Sequence, residues 1–335
     1  MRYSRILQYV NQVARTGSIR KAAEQLNATS TAVNKRIKDL EDELEVELFD
    51  RTPRGVSLTA AGEMFIHFVR EQLSEEDRMR SRLDEMRGLR RGLVRIATSQ
   101  ALAGNFMPDL LAGFKKRSPN VAFHVLAATH SQAISALQEH EVELVLIYRP
   151  PRTYKLEPIF SINQRLMAVM NRNHPLANHP SLRLRDFAKY PVALPDGTIG
   201  GRQLLDDVTL RQDIRLSSLV VSNSLEFLRG CAAKFDVVCF QIEIGVPTRD
   251  LEPFDLVAKP IDRRDLLEAP LMLGQLRGRR LPIASATFAE YAAREMDRWS
   301  ASTNSPQGAR SNAESATTDD QHKSRTAQNR RRKAR

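Results

Sequence analysis

The chain has 335 residues, enough for two or three domains, and its 41% hydrophobic and 27% charged residues are ordinary for a globular protein that folds in water. A formal net charge of +11 favours a polyanionic partner, although part of that charge can lie in a tail rather than on a binding face. The two cysteines argue against a disulfide framework. We find no signal peptide and no apolar run that could cross a bilayer, so we expect a cytoplasmic location and no membrane partner.

The N-terminal sequence predicts three helices. Apolar residues at helical spacing form a stripe from Ile6 to Ala14, and Gly17 suits the left-handed exit of that first helix. Ser18 and Thr29 are good N-caps for the next two helices. Small residues in both, including Ala22 and Ala32, permit the close crossing of a helix-turn-helix, whose second helix suits a major groove. An ordinary antiparallel helix pair is the alternative.

A short β-hairpin is predicted after the third helix. Pro53 and Gly55 mark a turn, and Val56 and Leu58 alternate with a polar residue. This pattern indicates the wing of a winged helix-turn-helix. Arg51 and Arg54 flank the turn, where they can reach phosphates or a minor groove. The alternative is that both are solvated loop arginines, but their position beside the recognition helix favours contact with DNA.

The stretch from Ser18 to Glu63 closely resembles the N-terminal domain of LysR-type transcriptional regulators. The residues that carry the resemblance are Gly17-Ser18, Ala22-Ala23, Leu26, Thr29, Ile37, Leu40-Glu41, Leu44, Leu48-Phe49, Arg51, Leu58-Thr59 and Ala61-Gly62. It implies a DNA-binding domain over residues 1–62. Glu45 stands where the family usually has a glycine, and Ala28–Thr31 replaces a Val-Ser-Gln-Ser-like run. The second departure bears on which DNA sequence is read.

Helical spacing and the resemblance together point to four exposed base-reading positions, Ser30, Thr31, Asn34 and Lys35. Asn34 can pair bidentately with adenine, and Lys35 can donate to guanine. The two hydroxyl groups can contact bases or a phosphate. Arg36 is predicted to contact the DNA backbone.

Thr59 is predicted to cap a long helix that ends near Gly88 and Gly92. Its apolar residues are Met64, Phe65, Phe68, Val69 and Leu73, followed after a polar gap by Met79, Leu83 and Met86. Such a helix needs a partner. A coiled-coil-like dimer would set two recognition helices roughly 34 Å apart, and packing on the chain's own C-terminal domain is the alternative. The resemblance favours the dimer, so residues 63–92 are assigned as a linker, or dimerisation, helix and hinge.

From residue 93 the sequence alternates between strands and helices, which predicts two α/β lobes between which the chain crosses twice. Lobe I is expected over about 93–162 and 267–299, and lobe II over about 163–266. In LysR-type regulators this region is an effector-binding domain that resembles periplasmic binding proteins, and the order of elements here is similar.

Ligands of open α/β sheets settle at the carboxyl ends of strands. Those places and the family resemblance indicate six candidate effector-binding residues, Ser99, Gln100, Thr129, Ser131, Thr198 and Phe240. Their polarity suits a small polar or anionic molecule, although the hydroxyl groups can also simply cap helices. Lys234-Phe235-Asp236 departs from a Gly-Leu-Gly-like turn that is frequent in the family, which puts the local geometry there in question.

Residues 300–335 are polar, end in RRRKAR, and are predicted to form a disordered basic tail. The tail can add salt-sensitive affinity for DNA or only solubilise the chain. The seven histidines show no metal-ligand spacing, Cys231 and Cys239 are expected to be buried, inert thiols, and no catalytic constellation is recognisable. We therefore expect no cofactor, no metal and no enzymatic activity.

The sequence thus predicts a LysR-type regulator that binds an imperfectly palindromic double-stranded DNA operator as a homodimer or homotetramer. A small effector in the C-terminal cleft would shift the population of two assemblies. RNA polymerase is a further candidate partner. Two alternatives stay open, a constitutive repressor or architectural DNA binder whose sensing domain binds nothing, and an enzyme that uses the α/β lobes.

Overall fold

The N-terminal part of the computed structural model is helical and carries one hairpin. The structure describes residues 2–52, 55–86, 91–150, 155–246 and 255–304. Its first elements are α1 (Arg2–Thr16), α2 (Ile19–Gln25), α3 (Ser30–Leu44), β1 (Phe49–Thr52), β2 (Gly55–Leu58) and α4 (Ala60–Met86). The predicted winged helix-turn-helix is confirmed.

Local side-chain bonds set the ends of these helices. The Ser18 hydroxyl accepts from the Lys21 amide at 3.4 Å and the Thr29 hydroxyl from the Ala32 amide at 3.2 Å, so both predicted N-caps are present. Gly17 adopts φ +60° at the end of α1. Its carbonyl accepts from the Val56 amide at 2.9 Å, which joins the wing to the turn before α2.

Helix α4 is apolar on two faces that have different surroundings. Ile66 and Val69 are buried in the core of the DNA-binding region with residues of α1. A second set of large apolar side chains stays exposed, Met64, Phe68, Met79, Leu83 and Met86. The described residues of this chain therefore cover only part of the helix, and an apolar stripe is left open along its length.

The remainder of the described chain forms two lobes, each around a five-stranded sheet. Lobe I contains β3 (Gly92–Ser99), α5 (Gln100–Ala103), α6 (Phe106–Arg117), β4 (Val121–Ala128), α7 (His130–Gln138), β5 (Leu144–Tyr148), β6 (Leu156–Gln164), β12 (Ala269–Leu276) and α10 (Ile283–Asn304). Lobe II contains β7 (Leu166–Asn171), β8 (Pro191–Pro195), α8 (Gly200–Arg211), β9 (Ser217–Ser222), α9 (Leu225–Lys234), β10 (Val238–Ile242) and β11 (Leu256–Pro260). Short 3₁₀ turns complete lobe II.

Both sheets have the same design. The strand order is β4-β3-β5-β12-β6 in lobe I and β11-β7-β10-β8-β9 in lobe II. One strand in each, β12 or β7, is antiparallel to both of its neighbours, and the other neighbouring pairs are parallel. The chain passes from lobe I to lobe II after β6 and returns before β12, which is the double crossing that the sequence predicts.

Two details differ from the sequence prediction. The sequence does not predict strand β6. This strand lies at the edge of its sheet, where Pro158 is tolerated although proline has no N–H to donate. Helix α10 continues to Asn304, so residues 300–304 of the predicted disordered tail are helical. There Ser302 and Thr303 donate their hydroxyl groups back to the Trp299 carbonyl at 2.7 and 3.0 Å, which lets polar residues extend the helix. Residues 305–335 lie outside the described residues.

Charged contacts join the N-terminal elements to lobe I. Arg15 of α1 pairs with Glu141 at 3.2 Å, and Arg70 of α4 pairs with Glu139 at 3.1 Å. Arg95 of β3 donates to Asp77 of α4 at 3.2 Å. We call these three pairs the linker–lobe seam. One side of α4 therefore packs on lobe I of its own chain, which is the alternative that the sequence left open for this helix.

Glu45 generates a stability prediction. It ends α3 in the left-handed conformation, φ +53°, with its side chain exposed. Glu45→Gly removes the strain of a Cβ in this region without removing a buried contact, so the free energy of unfolding should rise by about 1 kcal/mol. Lys38→Gly, in the middle of the same helix, should lower it by roughly 0.5–1 kcal/mol. Chemical denaturation measures both, and a destabilised Glu45→Gly protein would contradict the assignment.

Candidate functional site

The first two turns of α3 present polar side chains to solvent. Ser30, Thr31, Lys35 and Arg36 are exposed, whereas Val33, Ile37 and Leu40 are buried on the opposite face. This division leaves one polar side of the helix free to enter a groove, and the capped amino end offers N–H groups to phosphate oxygens.

Asn34 lies between the polar and buried faces of α3. It is half-buried, and its Oδ1 has no hydrogen-bond partner among the described residues. A bidentate pair with adenine uses both the oxygen and the amide nitrogen of the side chain. To form such a pair, the Asn34 side chain would have to rotate so that its buried Oδ1 faces the groove.

A buried carboxylate fixes the wing against α3. Glu41 Oε1 accepts from the Leu48 amide at 2.9 Å and the Phe49 amide at 3.1 Å. Its Oε2 lies 3.6 Å from Arg51 Nη2, whose side chain stays 45% exposed. Arg51 thus has a structural partner in addition to its proposed contact with DNA. Arg54 lies outside the described residues.

A second polar site lies between the lobes, at the carboxyl ends of the strands. Of the six predicted effector-binding residues, Ser99, Gln100, Thr129 and Thr198 line one small space there. Ser131 stands beside them, with its hydroxyl 3.3 Å from that of Thr129. This space holds only about 20 Å³, so the lobes are closed over it.

Phe240 lies elsewhere. Its side chain is 2% exposed and packs edge-on against Phe187, with ring centroids 5.2 Å apart. Strand β10 continues two residues beyond the predicted end, so Phe240 belongs to the core of lobe II. Its neighbour Gln241 reaches the other lobe instead and donates to the Ala101 carbonyl at 3.3 Å.

Some of the hydroxyl groups also have structural partners. Thr129 is the N-cap of α7 and forms a capping box with Gln132. Thr198 donates to Asp196 Oδ1 at 2.5 Å, and the Ser99 hydroxyl accepts from the Tyr148 amide at 3.2 Å. Helix capping and ligand contact are compatible here, since each hydroxyl has further hydrogen-bonding capacity.

Two further residues lie in this cleft, His130 and Arg149, and neither is among the six predicted effector-binding residues. His130 faces Gly200 across the lobes, and its pKa is lowered by burial and by the Arg149 charge. Arg149 pairs with Asp207 of lobe II, and its buried Nη1 has no partner among the described residues. Both follow the carboxyl ends of parallel strands, β4 and β5, which is the signal that could have found them.

Two family models match this chain in the order that the fold displays. Residues 4–63 match the bacterial regulatory helix-turn-helix protein, lysR family, and residues 87–297 match the LysR substrate binding domain. The chain belongs to the LysR family. It is a DNA-binding transcriptional regulator with an effector-binding domain, and its family is not one of enzymes.

Curated relatives match over most of the chain. The RuBisCO operon transcriptional regulator of Allochromatium vinosum is 28% identical over 298 residues, 88% of this chain and 96% of that one. The transcriptional dual regulator GltC of Bacillus subtilis is 28% identical over 60% of this chain and 68% of its own.

Solved structures share the fold at lower identity. A full-length OxyR variant from Pseudomonas aeruginosa superposes with a TM-score of 0.67 at 18% identity, covering 86% of this chain and 93% of that chain. CbnR in complex with its target DNA superposes with a TM-score of 0.61 at 19% identity, covering 87% and 99%. The two-lobed architecture and its order of elements are therefore those of LysR-type proteins.

The two cysteines belong to the core of lobe II. Cys231 and Cys239 are buried, and burial raises the pKa of Cys239 to about 12, as expected for an inert thiol. Within residues 2–304, as far as they are described, no cluster of three His, Cys, Asp or Glu side chains has the arrangement of a metal site. No helix in the same residues is both long and apolar enough to cross a membrane.

The carboxylate at Glu41 generates the second prediction. Glu41→Ala leaves the buried Leu48 and Phe49 amides without an acceptor and should lower the free energy of unfolding by about 2–4 kcal/mol. Glu41→Gln keeps one acceptor oxygen and loses mainly the exposed pair with Arg51, which costs under about 1 kcal/mol. Chemical denaturation compares the two variants. Equal stabilities would show that the amide contacts do not hold the wing.

Gly200 generates the third prediction, which concerns closure of the lobes. A Cβ at Gly200 would lie 2.8 Å from His130 Nε2 and 2.9 Å from the Tyr148 carbonyl oxygen, whereas a Cβ at Gly197 meets nothing within 4 Å. Gly200→Ala should therefore hold the lobes apart, while Gly197→Ala should not. Faster amide exchange around residues 130 and 200 in Gly200→Ala alone is the expected result. Equal exchange in both variants would contradict a closed cleft.

Proposed function

We propose that this regulator reads its operator through the polar face of the first two turns of α3. Ser30, Thr31, Asn34 and Lys35 contact base edges, and Arg36, Arg51 and Arg54 contact the backbone or the minor groove. The observation that carries this proposal is the division of α3 into an exposed polar face and a buried apolar face. The related CbnR structure, which holds its target DNA, supports a DNA-facing role for this domain.

The exposed apolar stripe of α4 supports a homo-oligomer. Met64, Phe68, Met79, Leu83 and Met86 are all exposed in the single chain, and burying such a stripe against a second copy is favourable. The proposed unit is a homodimer, or a homotetramer built from two dimers, on an imperfect palindrome in the cytoplasm. In each chain, residues 1–62 would bind DNA, residues 63–92 would pair with the second copy, and residues 93–299 would bind the effector. The tail follows them.

The cleft between the lobes is the proposed effector site, and a small polar or anionic molecule is the proposed ligand. It is lined by polar side chains, those of Ser99, Gln100, Thr129, His130 and Thr198, and Ser131 and Arg149 stand beside it. Two structural relatives have effector or regulatory domains in complex with small molecules, QuiR with shikimate and CcmR with 2-PG. With only about 20 Å³ available, the cleft must open to admit a ligand.

Sequence preference tests the DNA proposal. Asn34→Ala should lose discrimination at one or two base pairs in a binding-site selection, because it removes a base contact. Arg36→Ala should weaken all sequences about equally and lower the slope of affinity against salt by about 1. An unchanged base preference in Asn34→Ala would contradict its role, and a changed preference in Arg36→Ala would make that residue a base reader.

A metabolite screen by thermal shift tests the cleft proposal. A stabilising ligand should lose its effect in Ser99→Ala/Thr198→Val, which keeps the fold but removes two hydroxyl groups from the cleft. DNA binding without any stabilising metabolite would favour a constitutive repressor or architectural protein. A ligand that stabilises both proteins equally would place its site outside the cleft.

A further inference from the structure

A cavity far from the recognition helix is lined by an excess of arginines. It measures about 360 Å³ and lies between α4 and the turn that joins β12 to α10. Five guanidinium groups line it, those of Arg78, Arg82, Arg277, Arg279 and Arg280, against two carboxylates, Glu71 and Glu75. The lining therefore has a formal excess of three positive charges.

Among the described residues, the nearby carboxylates form an ion pair with just one of these five arginines. Glu75 pairs with Arg78. Three acidic residues of lobe I line a neighbouring cavity of about 290 Å³, where they pair with the arginines of the linker–lobe seam; they are Glu139, Glu141 and Glu143. Within the described part of the chain, Arg277, Arg279 and Arg280 form no ion pair with any carboxylate. The acidic residues of lobe I are thus paired within the neighbouring cavity, and the excess of arginines remains in this one.

Two buried nitrogen atoms in the lining have no partner among the described residues. Arg279 is 9% exposed; it donates to the Val142 carbonyl at 3.3 Å and to the Ser74 hydroxyl, but its Nε donates to nothing. His140 Nδ1 is likewise buried without a partner. The Nε–H of Arg279 belongs to a charged group, and leaving it unsatisfied costs free energy that a bound acceptor would recover.

Burial and like charges disfavour the charged forms of two arginines in this cluster. Burial lowers the pKa of Arg78 and the charges of Arg82 and Arg280 lower it further. Burial also lowers the pKa of Arg279, and the charges of Arg78 and Arg95 lower it further. Glu143 and Asp77 act in the opposite direction. The arrangement stores like-charge repulsion that an anion would relieve.

We propose that this cavity binds a small phosphorylated anion, distinct from the effector in the cleft and from DNA. Guanidinium groups match phosphate oxygens in geometry and charge, and a volume of about 360 Å³ accommodates a compact di- or polyanion. Arg78 lies 18 residues beyond the start of α4, or about 27 Å along the helix, so the site is separate from the recognition face.

The site bridges the DNA-binding arm and the sensing domain. Arg78 and Arg82 belong to α4, whereas Arg277, Arg279 and Arg280 follow β12 of lobe I. Arg78 already donates to the Arg280 carbonyl at 2.9 Å. An anion held by both sides stabilises this placement of α4 on lobe I over any in which the two separate, and so acts as a second input to the regulator.

Titration calorimetry of the full chain with pyrophosphate at fixed ionic strength tests the proposal. The wild-type protein should bind saturably. Arg277→Gln/Arg280→Gln should bind at least about tenfold more weakly, because two charge-assisted contacts are lost. Arg215→Gln, an exposed arginine of lobe II, is the control and should bind like the wild type. Pyrophosphate should also slow amide exchange over residues 71–82 in the wild type but not in the double variant.

Three further arms can overturn the proposal. If the wild-type protein does not bind pyrophosphate saturably, the site is excluded. It is also excluded if Arg277→Gln/Arg280→Gln binds pyrophosphate as tightly as the wild type while the double variant is as stable as the wild type without ligand. Loss of binding in Lys35→Ala/Arg36→Ala would place the anion on the DNA-binding face. Loss in Ser99→Ala/Thr198→Val would place it in the cleft. Retention of binding in both of these variants is the outcome that the cavity requires.

Discussion

The placement of the DNA-binding arm depends on one buried carboxylate. Glu143 is inside lobe I, where an uncompensated charge would be costly, and Arg95 compensates it with its backbone amide at 2.7 Å and its Nη1 at 2.9 Å. The same guanidinium extends to Asp77 of α4 at 3.2 Å. Arg95 therefore both compensates the buried Glu143 and contacts the linker helix α4. In this way the interior of lobe I orients the helix that carries the DNA-binding domain.

Ion pairs also join the other structural units of the molecule. Acidic residues of lobe I meet basic residues of α1 and α4 along the seam, and an adjacent space beside α4 is left with arginines in excess. Between the lobes, Arg149 and Asp207 close the cleft in a comparable way. Ion pairs at each junction between units are individually modest where they are exposed. Their value is in specifying one arrangement that ligands can favour or oppose.

Features encoded by near neighbours in the sequence could be predicted, and features created by packing could not. Ser18 and Thr29 cap helices through amides three residues away, so their roles are readable locally. Phe240 was predicted to lie at the cleft because the sequence ended its strand there. Strand β10 continues two residues further, so the side chain faces the core. Arg279 became notable only when lobe I and α4 met around it, since nothing in its sequence context distinguishes it.

Lobe I is built from the two ends of the sensing region. Its sheet needs β12 between β5 and β6, and α10, the last described helix, packs on β3 and β6. During synthesis the helix-turn-helix leaves the ribosome as a contiguous unit and can fold at once, whereas lobe I has to wait until nearly the entire chain has emerged. A truncated translation product would therefore hold a folded DNA-reading domain without a completed sensor.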